Sequence, residues 1–256
     1  MPQDLPMADA ARLALQCLDL TSLNDGDTPA DIEALCQRAQ SRFGPVAAVC
    51  VWPRFVPQAR ALLPASIHVA AVANFPTGAL DIALALRDIQ SIASNGANEV
   101  DVVLPYHALM QGQTAACVQY LEAARKASGS LTLKVIIESG VLVEHRLIAQ
   151  ATQLALSAGA DFVKTSTGKT PVSATLDAAT VMLHTISASG LPHAGFKASG
   201  GIRTVADAST YLQLAAEALG KDALTRQRFR FGASGLLNDI EAVLAGQSPM
   251  PSTGAY

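Results

Sequence analysis

Eight short apolar runs, each followed by a segment with helical periodicity, are the feature of this chain that most limits its fold. An apolar run of this length suits a strand buried on both faces, and strands that alternate with helices build parallel βαβ units. Eight such units close into a barrel, which typically needs about 250 residues, and the chain has 256. The sequence therefore predicts an α/β fold, a single (β/α)8 TIM barrel. The predicted strands lie near Leu15–Leu20, Ala47–Val51, His68–Val72, Glu99–Val103, Thr132–Ile137, Asp161–Lys164, His193–Lys197 and Arg228–Gly232.

Amphipathic stretches separate these runs. Thr28–Arg42 and Leu80–Ser94 carry apolar residues at helical spacing. Because we find no fixed-period repeat and no internal linker, we expect one domain over residues 1–256. The final segment, 246–256, is rich in Pro, Ser and Gly, which predicts a mobile tail.

Composition and charge limit the classes of partner. The net charge is -3 and there is no basic stripe, so nucleic acid is not an expected partner. No apolar run approaches the ~20 residues of a membrane-spanning helix, and the first residues lack the pattern of a signal peptide. The cysteines form no C-x-x-C pair, which is typical of free thiols in a reducing cytosol. These features predict a cytoplasmic location without membrane partners. The cysteines are Cys17, Cys36, Cys50 and Cys117.

Charged residues occupy one parity of the predicted strands. Alternate residues of a barrel strand point into the barrel or toward the helices. Charges on the inward parity need partners, so they form either a structural ion-pair network or an active site. For the set as a whole we favour an active site, because most of the charges lie toward the carboxyl ends of their strands, where barrel active sites occur. The inward charges are Lys134, Lys164, Lys197, Asp19, Glu99, Asp101 and Glu138.

Two of these lysines end adjacent predicted strands. Lys164 ends the sixth strand and Lys197 the seventh, and neighbouring strands lie ~4.8 Å apart. A second ammonium and partial desolvation both favour the neutral amine that attacks a carbonyl, which is a known way to activate a Schiff-base lysine. In the alternative interpretation, one lysine binds phosphate and the other pairs with a carboxylate. The spacing alone leaves both interpretations open.

Three further inward residues have two interpretations each. Asp101, across the barrel from the lysine pair, can move protons during carbinolamine formation and breakdown, or it can be a counter-ion to Lys134 or Lys197. Asp19 has the same two interpretations, and here the structural one is favoured. Cys50 is expected to be a small core residue, although a substrate aldehyde could reach it.

Two glycine-rich loops follow the last two predicted strands. Residues 199–203 read SGGIR, residues 232–235 read GASG, and a predicted helix follows each. Glycine lets backbone N–H groups approach an anion, a helix N-terminus favours negative charge, and barrel phosphate sites are often built from these loops. We therefore predict a phosphate site there rather than plain turns. Lys169, in the sixth loop, is expected to add a cation.

The histidines do not indicate a metal site. They show neither H-x-H nor H-E-x-x-H spacing, and His193 begins its predicted strand, at the wrong end of the barrel for catalysis. A zinc-dependent mechanism is therefore disfavoured, and neither a metal nor a cofactor is expected.

With these residues in view, the chain resembles the deoxyribose-phosphate aldolase family over nearly its whole length. Segment 159–168, GADFVKTSTG, contains the most specific match, and segment 195–203, GFKASGGIR, is nearly as specific. The other matching segments are 18–21 (LDLT), 49–54 (VCVWPR), 74–78 (NFPTG), 96–101 (GANEVD), 133–138 (LKVIIE) and 230–234 (RFGAS).

The resemblance implies reversible cleavage of 2-deoxy-D-ribose 5-phosphate to D-glyceraldehyde 3-phosphate and acetaldehyde, in deoxynucleoside breakdown. It implies that Lys164 forms the Schiff base, that Lys197 lowers its pKa and relays protons, and that Asp101 is the acid/base partner. The last residue, Tyr256, matches a tail tyrosine that some members are thought to use in proton transfer. The predicted substrate-binding residues are Asp19, Cys50, Lys134, Thr167, Lys169, Gly200, Gly201, Gly232 and Ser234.

One departure and two alternative functions qualify this prediction. Some relatives carry a second serine where this chain has Gly235; backbone donors remain, so weaker phosphate affinity is the most we expect. The alternatives are another Schiff-base barrel aldolase, acting on a ketose phosphate or in transaldol transfer, and a non-catalytic phosphosugar-binding barrel. The lysine pair and Asp101 favour an enzyme, because a pure binding site does not need a depressed lysine pKa. The expected partners are a phosphosugar and acetaldehyde, and the resemblance implies a homodimer.

Overall fold

Eight parallel strands form one closed barrel, with each strand hydrogen-bonded to its neighbours in chain order and the last paired with the first. The computed structural model describes residues 5–247. The predicted (β/α)8 TIM barrel is thereby confirmed. The strands are β1 (Leu18–Thr21), β2 (Ala48–Val51), β3 (His68–Ala73), β4 (Glu99–Val103), β5 (Thr132–Ile136), β6 (Phe162–Lys164), β7 (Gly195–Ser199) and β8 (Phe229–Ala233).

Helices alternate with these strands and surround the barrel. Within residues 5–247 the helices are α1 (Met7–Gln16), α2 (Pro29–Arg38), α3 (Val56–Leu62), α4 (Ile82–Ser94), α5 (Tyr106–Met110), α6 (Thr114–Ser128), α7 (Ser139–Leu142), α8 (His145–Ser157), α9 (Leu176–Ala188), α10 (Val205–Leu219) and α11 (Leu236–Leu244). Short 3-10 turns at Pro53–Phe55 and Lys221–Ala223 complete the connections.

The predicted elements differ from the structure mainly at their ends. The first predicted strand begins too early, because Leu15 and Gln16 form the last turn of α1, an Ala-rich segment that favours a helix. Strand β7 continues to Ser199, so Lys197 lies inside the strand rather than at its end, and His193 precedes the strand. The predicted helix from Thr28 ends early, at Arg38.

Local side-chain hydrogen bonds fix where several helices begin. Thr28 accepts a hydrogen bond from the backbone N–H of Asp31, and the Asp31 carboxylate accepts one from the backbone N–H of Thr28. Thr204 and Asp207 form the same reciprocal pair at the start of α10, directly after the β7 loop. Such boxes satisfy N–H groups that a helix N-terminus leaves without partners.

The hydrophobic core lies between the barrel and the helices. Outward strand residues such as Val100 and Val102 are fully buried there, and α1 packs against α10 and α11. The four cysteines are buried free thiols. No helix among residues 5–247 has the length and apolar character needed to cross a membrane. Apart from Gly246 and Gln247, the predicted tail 246–256 lies outside the described residues, so its mobility stays a prediction.

Candidate active site

Charged side chains, rather than apolar ones, fill much of the barrel interior. Seven of them are at most 3% exposed and are connected by hydrogen bonds and ion pairs. Each comes from the inward parity of its strand, and together they draw on β1, β4, β5, β6, β7 and β8. These residues are Asp19, Glu99, Asp101, Lys134, Lys164, Lys197 and Arg230.

The carboxylate of Asp101 contacts three lysines. Its Oδ1 lies 2.8 Å from Nζ of Lys134. Its Oδ2 lies 2.8 Å from Nζ of Lys164 and 2.8 Å from Nζ of Lys197. Register brings the lysines together, because Lys164 pairs directly with Lys197 across β6 and β7. One carboxylate on β4 is thus the common acceptor for amines from three other strands.

A second tier of contacts lies around Arg230. Its Nη1 donates to Oδ1 of Asp19 at 2.5 Å, and its Nη2 donates to Oε1 of Glu99 at 2.8 Å. Lys134 contacts the other oxygen of Glu99, and Nζ of Lys197 lies 2.5 Å from Oδ2 of Asp19. The guanidinium of Arg230 therefore ties together the two carboxylates that in turn hold Lys134 and Lys197.

The packing around Arg230 depends on a glycine. The guanidinium carbon lies 5.5 Å from the ring centroid of Phe162, a favourable cation–π distance. A Cβ on Gly195, the residue paired with Phe162, would lie 2.5 Å from that ring. Only glycine leaves room for the ring in this position.

The two central lysines have opposite pKa shifts. Burial lowers the pKa of Lys164, the ammonium of Lys197 lowers it further, and the Asp101 carboxylate opposes both. Burial also acts to lower the pKa of Lys197, but the carboxylates of Asp101 and Asp19 outweigh it and raise that pKa. Lys164 is therefore the amine more easily neutralised, and Lys197 stays an ammonium ion.

The acidic residues of the network remain ionised. Burial alone would raise the pKa of Asp101, but Lys134, Lys164 and Lys197 hold it well below its usual range. Glu99 is also held well below its usual pKa, by Lys134 and Arg230 against the effect of burial. Negative charge is thus permanently available beside the lysines at neutral pH.

An open cavity of about 510 Å³ lies at the carboxyl ends of the strands. Its walls come from the loops after β1, β6, β7 and β8, and several of the lining side chains carry a hydroxyl group. The lining residues are Thr21, Ser22, Leu23, Asn24, Thr167, Gly168, Lys169, Thr170, Ser173, Ser199, Gly200, Gly201, Ile202, Arg203, Gly232, Ala233, Ser234, Gly235 and Asn238.

Glycines shape the side of the cavity nearest the lysines. Gly200 and Gly201 have φ of 86° and 82°, a left-handed region that other residues rarely adopt. A Cβ on Gly232 would lie 2.5 Å from Oγ of Ser199 and 3.0 Å from Cε of Lys197. A side chain at position 232 would therefore crowd both Ser199 in the cavity wall and the side chain of Lys197.

Glu138 holds the loop that follows Lys164. Its carboxylate accepts hydrogen bonds from the backbone N–H and the hydroxyl of Thr167, and from the hydroxyl of Thr170. The residue itself is left-handed, with φ 53° and ψ 57°, which is uncommon outside glycine. Burial raises the pKa of this carboxyl. Glu138 therefore fixes two residues of the cavity wall at the cost of local strain.

The amide of Asn238 has a defined orientation. Nη2 of Arg38 donates to Oδ1 of Asn238 at 2.8 Å. Because arginine has no acceptor, this contact requires the amide oxygen, and the Nδ2 donor points away from Arg38. Asn238 stands in the first turn of α11, next to Gly235 in the cavity wall.

The predicted site residues fall into three groups in the structure. Lys164, Lys197 and Asp101 meet within the barrel, and they are absent from the cavity lining. Asp19, Cys50 and Lys134 are fully buried and are not among the residues that line the cavity. Tyr256 lies outside the described residues. The residues that do line the cavity are Thr167, Lys169, Gly200, Gly201, Gly232 and Ser234.

The sequence interpretation missed Arg230 and several residues of the cavity wall. Arg230 alternates with Phe229 and Phe231, so the parity rule used for the lysines would have placed it inside the barrel. Ser173 and Asn238 have no comparable signal, because their position depends on how distant loops meet. Among residues 5–247, no group of three or more His, Cys, Asp or Glu side chains is arranged to hold a metal ion.

The sequence model of the DeoC/LacD aldolases matches residues 13–242. With a closed (β/α)8 barrel and this match over most of its length, the chain belongs to the DeoC/LacD family of aldolases. The family forms and breaks carbon–carbon bonds, which agrees with the enzyme class expected from the sequence.

Individual relatives bear the name of one activity. The deoxyribose-phosphate aldolase of Agrobacterium fabrum is 46% identical over 251 residues, which cover 97% of this chain and 96% of that protein. A solved structure from Coccidioides immitis, provisionally assigned as a deoxyribose-phosphate aldolase, is 28% identical with a TM-score of 0.80, covering 94% of this chain and 92% of that one. A Toxoplasma gondii structure with the same provisional assignment has a TM-score of 0.86 at 22% identity, covers 96% of this chain and 98% of that one, and shows the fold alone.

Proposed function

We propose that this chain is a class I aldolase that reversibly cleaves 2-deoxy-D-ribose 5-phosphate to D-glyceraldehyde 3-phosphate and acetaldehyde, in the catabolism of deoxynucleosides. The observation that carries the proposal is the placement of the Lys164 amine. It lies 2.8 Å from Asp101 and pairs across the strands with the charged Lys197, next to a polar cavity. The 46% identical Agrobacterium fabrum relative bears the name of this activity.

Lys164 is the proposed nucleophile. Only a neutral amine attacks a carbonyl, and burial together with the Lys197 ammonium lowers the pKa of Lys164. Lys164 also keeps 2% exposure, whereas Lys134 and Lys197 have none. Of these three lysines, Lys164 is thus the one that combines a lowered pKa with any solvent exposure.

The proposed reaction begins when the Lys164 amine adds to the substrate aldehyde and forms a carbinolamine. Loss of water gives an iminium ion, which withdraws electrons from the adjacent carbon. The hydroxyl on the third carbon then loses its proton, the bond between the second and third carbons breaks, and its electron pair forms an enamine. Glyceraldehyde 3-phosphate leaves at this point. Protonation of the enamine carbon and hydrolysis of the iminium release acetaldehyde and regenerate Lys164.

Asp101 and Lys197 have complementary roles in these proton transfers. Lys197 is held as an ammonium and can donate, whereas Asp101 is held as a carboxylate and can accept. Nζ of Lys197 lies 2.8 Å from Oδ2 of Asp101, so a proton that one residue gives up can be compensated by a proton that the other takes up. Asp19 and Lys134 are proposed to act by holding this pair, since both are fully buried.

The phosphate is proposed to bind in the cavity between the β7 and β8 loops. Gly200, Gly201 and Gly232 line the cavity there without side chains that would fill it, and Ser234 and Lys169 add a hydroxyl and a cation. Thr167 shapes the facing wall. Gly235 provides no hydroxyl, but it stands at the N-terminus of α11, where backbone donors remain.

Three further proposals come from the sequence and the family resemblance. They are a cytoplasmic location, a homodimeric state and a role for Tyr256 in proton transfer. Light scattering on the purified protein tests the dimer. A solved relative from Aeropyrum pernix, 22% identical with a TM-score of 0.74, is described as having a unique tetrameric structure. Deletion of Tyr256 with measurement of enamine protonation by solvent deuterium exchange tests the tail.

Borohydride trapping tests the central proposal. The protein is incubated with acetaldehyde, reduced, digested and mapped by mass spectrometry. We expect an ethyl adduct on Lys164 that is absent from Lys164→Leu, with adducts on exposed lysines such as Lys126 equal in both proteins. No adduct on Lys164 in folded protein would reject the Schiff-base mechanism and favour a binding barrel. Cleavage of ketose phosphates in preference to deoxyribose 5-phosphate would instead identify another Schiff-base aldolase.

A further inference from the structure

The charges beneath Lys164 form a balanced set. We use the name charge layer for the six buried residues that remain when Lys164 is left aside. Three are carboxylates and three are cations, so the layer is neutral as a whole and Lys164 is the one amine in excess. The charge layer consists of Asp19, Glu99, Asp101, Lys134, Lys197 and Arg230.

We propose that Arg230 and Glu99 are positioning residues that set the protonation of Lys164 from the far side of the charge layer. Neither residue lines the cavity, and both are linked to Lys164 only through other charged residues of the layer. The inference rests on the proposed role of Lys164 as nucleophile.

Two routes of direct contact connect Arg230 to Lys164. In the first, Arg230 holds Asp19, Asp19 holds Lys197, and Lys197 shares Oδ2 of Asp101 with Lys164. In the second, Arg230 and Lys134 both bind Glu99, and Lys134 binds Oδ1 of Asp101. The routes converge on Asp101. A change of charge at Arg230 or Glu99 therefore acts on the same carboxylate that opposes deprotonation of Lys164.

Because Glu99 and Arg230 are buried, their charges can act on Lys164 without direct contact. Glu99 is fully buried and Arg230 is 3% exposed, so solvent screens them far less than surface charges. If Lys164 is neutral, every charge in the layer has an opposite partner. If Lys164 is protonated, one buried positive charge has no counterpart within the layer. The composition of the layer thus favours the neutral, reactive amine.

Other titratable groups surround the same space and remain unchanged in the variants below. Burial raises the pKa of the thiols of Cys17 and Cys50, so they stay uncharged. Glu138 is held by Thr167 and Thr170 at the cavity wall. The groups that face Lys164 or the charge layer are thus Cys17 directly before β1, Cys50 on β2, His68 on β3 and Glu138 after β5.

Removing one charge at a time predicts shifts of opposite sign. Arg230→Met leaves the layer with one excess negative charge, which stabilises the Lys164 ammonium and raises its pKa. Glu99→Gln leaves one excess positive charge, which lowers that pKa. Each shift is expected to be about one pH unit, from a unit charge acting through a partly screened interior. The double variant Glu99→Gln/Arg230→Met restores neutrality and should return the pKa to near the wild-type value.

The experiment measures the pH dependence of adduct formation on Lys164, with acetaldehyde as the probe and borohydride as the trap. This readout follows Lys164 directly and does not require turnover of a phosphosugar. Arg230→Lys keeps the charge but loses the bidentate geometry, so it should retain the wild-type midpoint even where thermal stability falls. Arg146→Met removes an exposed arginine on α8 and should not move the midpoint.

The outcomes separate the inference from the function on which it rests. Opposite shifts in the single variants, with the midpoint restored in the double variant, support it. Midpoints that do not differ measurably from the wild-type value, or that shift in the same direction, overturn it. If Arg230→Met does not fold, Glu99→Gln and the double variant decide by the same criterion. Absence of any Lys164 adduct in the wild type would reject the proposed function instead.

Discussion

Lys164 and Lys197 share a single acceptor atom: both Nζ atoms lie 2.8 Å from Oδ2 of Asp101. Two amines at one carboxylate oxygen are stable together when only one of them carries a full charge, because like charges at this distance disfavour the second protonation. Their opposite pKa shifts follow from this geometry. The shared oxygen divides the pair into an amine with a lowered pKa, Lys164, and one with a raised pKa, Lys197.

Asp101→Asn is expected to separate the pKa of Lys164 from catalysis. Removing the carboxylate takes away the main group that stabilises the Lys164 ammonium, so the midpoint for adduct formation with acetaldehyde should move to lower pH. The value of kcat should nevertheless fall by about 10²–10⁴-fold, because the proton acceptor is lost. The two quantities are measured by borohydride trapping across pH and by steady-state cleavage of deoxyribose 5-phosphate. An unchanged kcat would exclude Asp101 from the proton transfers.

Lys169→Met should affect phosphorylated substrate selectively. If the Lys169 ammonium binds phosphate, its loss raises KM for deoxyribose 5-phosphate by roughly tenfold, the magnitude of one charge-assisted hydrogen bond. KM for unphosphorylated 2-deoxyribose should stay the same. Lys221→Met, in the 3-10 turn before β8, is the matched control and should change neither value. Equal increases for both sugars would show that Lys169 shapes the cavity rather than binding phosphate.

Gly232→Ala, near the end of β8, and Gly235→Ala, in the loop that follows, form a matched pair. A Cβ at 232 would meet Oγ of Ser199 at 2.5 Å and Cε of Lys197 at 3.0 Å, whereas a Cβ at 235 has no neighbour within 4 Å. Displacing Lys197 should reduce kcat/KM by about 10²-fold, as small errors in the position of catalytic groups do. Gly235→Ala should stay near wild type. Similar activity in both variants would mean that Lys197 has room to adjust.

Acid pH should destabilise the protein through the buried carboxylates. Asp19, Glu99 and Asp101 have pKa values lowered by folding, so the stability that they contribute is complete above the unfolded values of about 4. It is lost as pH falls through the folded values, since the unfolded chain then binds more protons. Because pH 5 to 7 lies above those unfolded values, we expect Tm to change little across this range. At pH values below about 4, we expect Tm to decrease.

Glu99→Gln provides the comparison for this acid transition. It removes one of the titrating groups, so the acid slope of the unfolding free energy should decrease by up to about 1.4 kcal/mol per pH unit. Glu122→Gln, at an exposed position on α6, should keep the wild-type slope. An unchanged slope in Glu99→Gln would place the acid sensitivity elsewhere in the protein.

The barrel and the parity of its charges could be predicted from the sequence, whereas their contacts could not. Alternation along β4 and β5 placed Asp101 and Lys134 inside because period-two geometry is local. That Asp101 binds three lysines at once depends on the barrel register, which joins strands far apart in the chain. Arg230 was overlooked between two phenylalanines, and its partner Asp19 lies 211 residues away.

The cavity wall shows the same limit in another form. The glycines of the β7 and β8 loops could be predicted because positive φ and close approach leave a compositional signal. The hydrogen bonds between Glu138 and Thr167 and between Arg38 and Asn238 leave no such signal in the sequence. Each joins two loops or helices that come together only in the finished fold. Sequence patterns therefore predicted which residues face the site better than which residues hold it in place.

The buried ion pairs of the charge layer close the barrel beneath Lys164, so that this amine can be approached only from the side of the loops. A fragment that is bonded to the Lys164 nitrogen lies deepest in the barrel, and the rest of the substrate lies between that fragment and the loops. If Lys164 is the nucleophile, as proposed, the phosphorylated fragment departs before the two-carbon fragment in cleavage, and the two-carbon aldehyde enters first in synthesis. Such an order of binding and release requires no moving part, because it depends only on how deep the Lys164 amine lies.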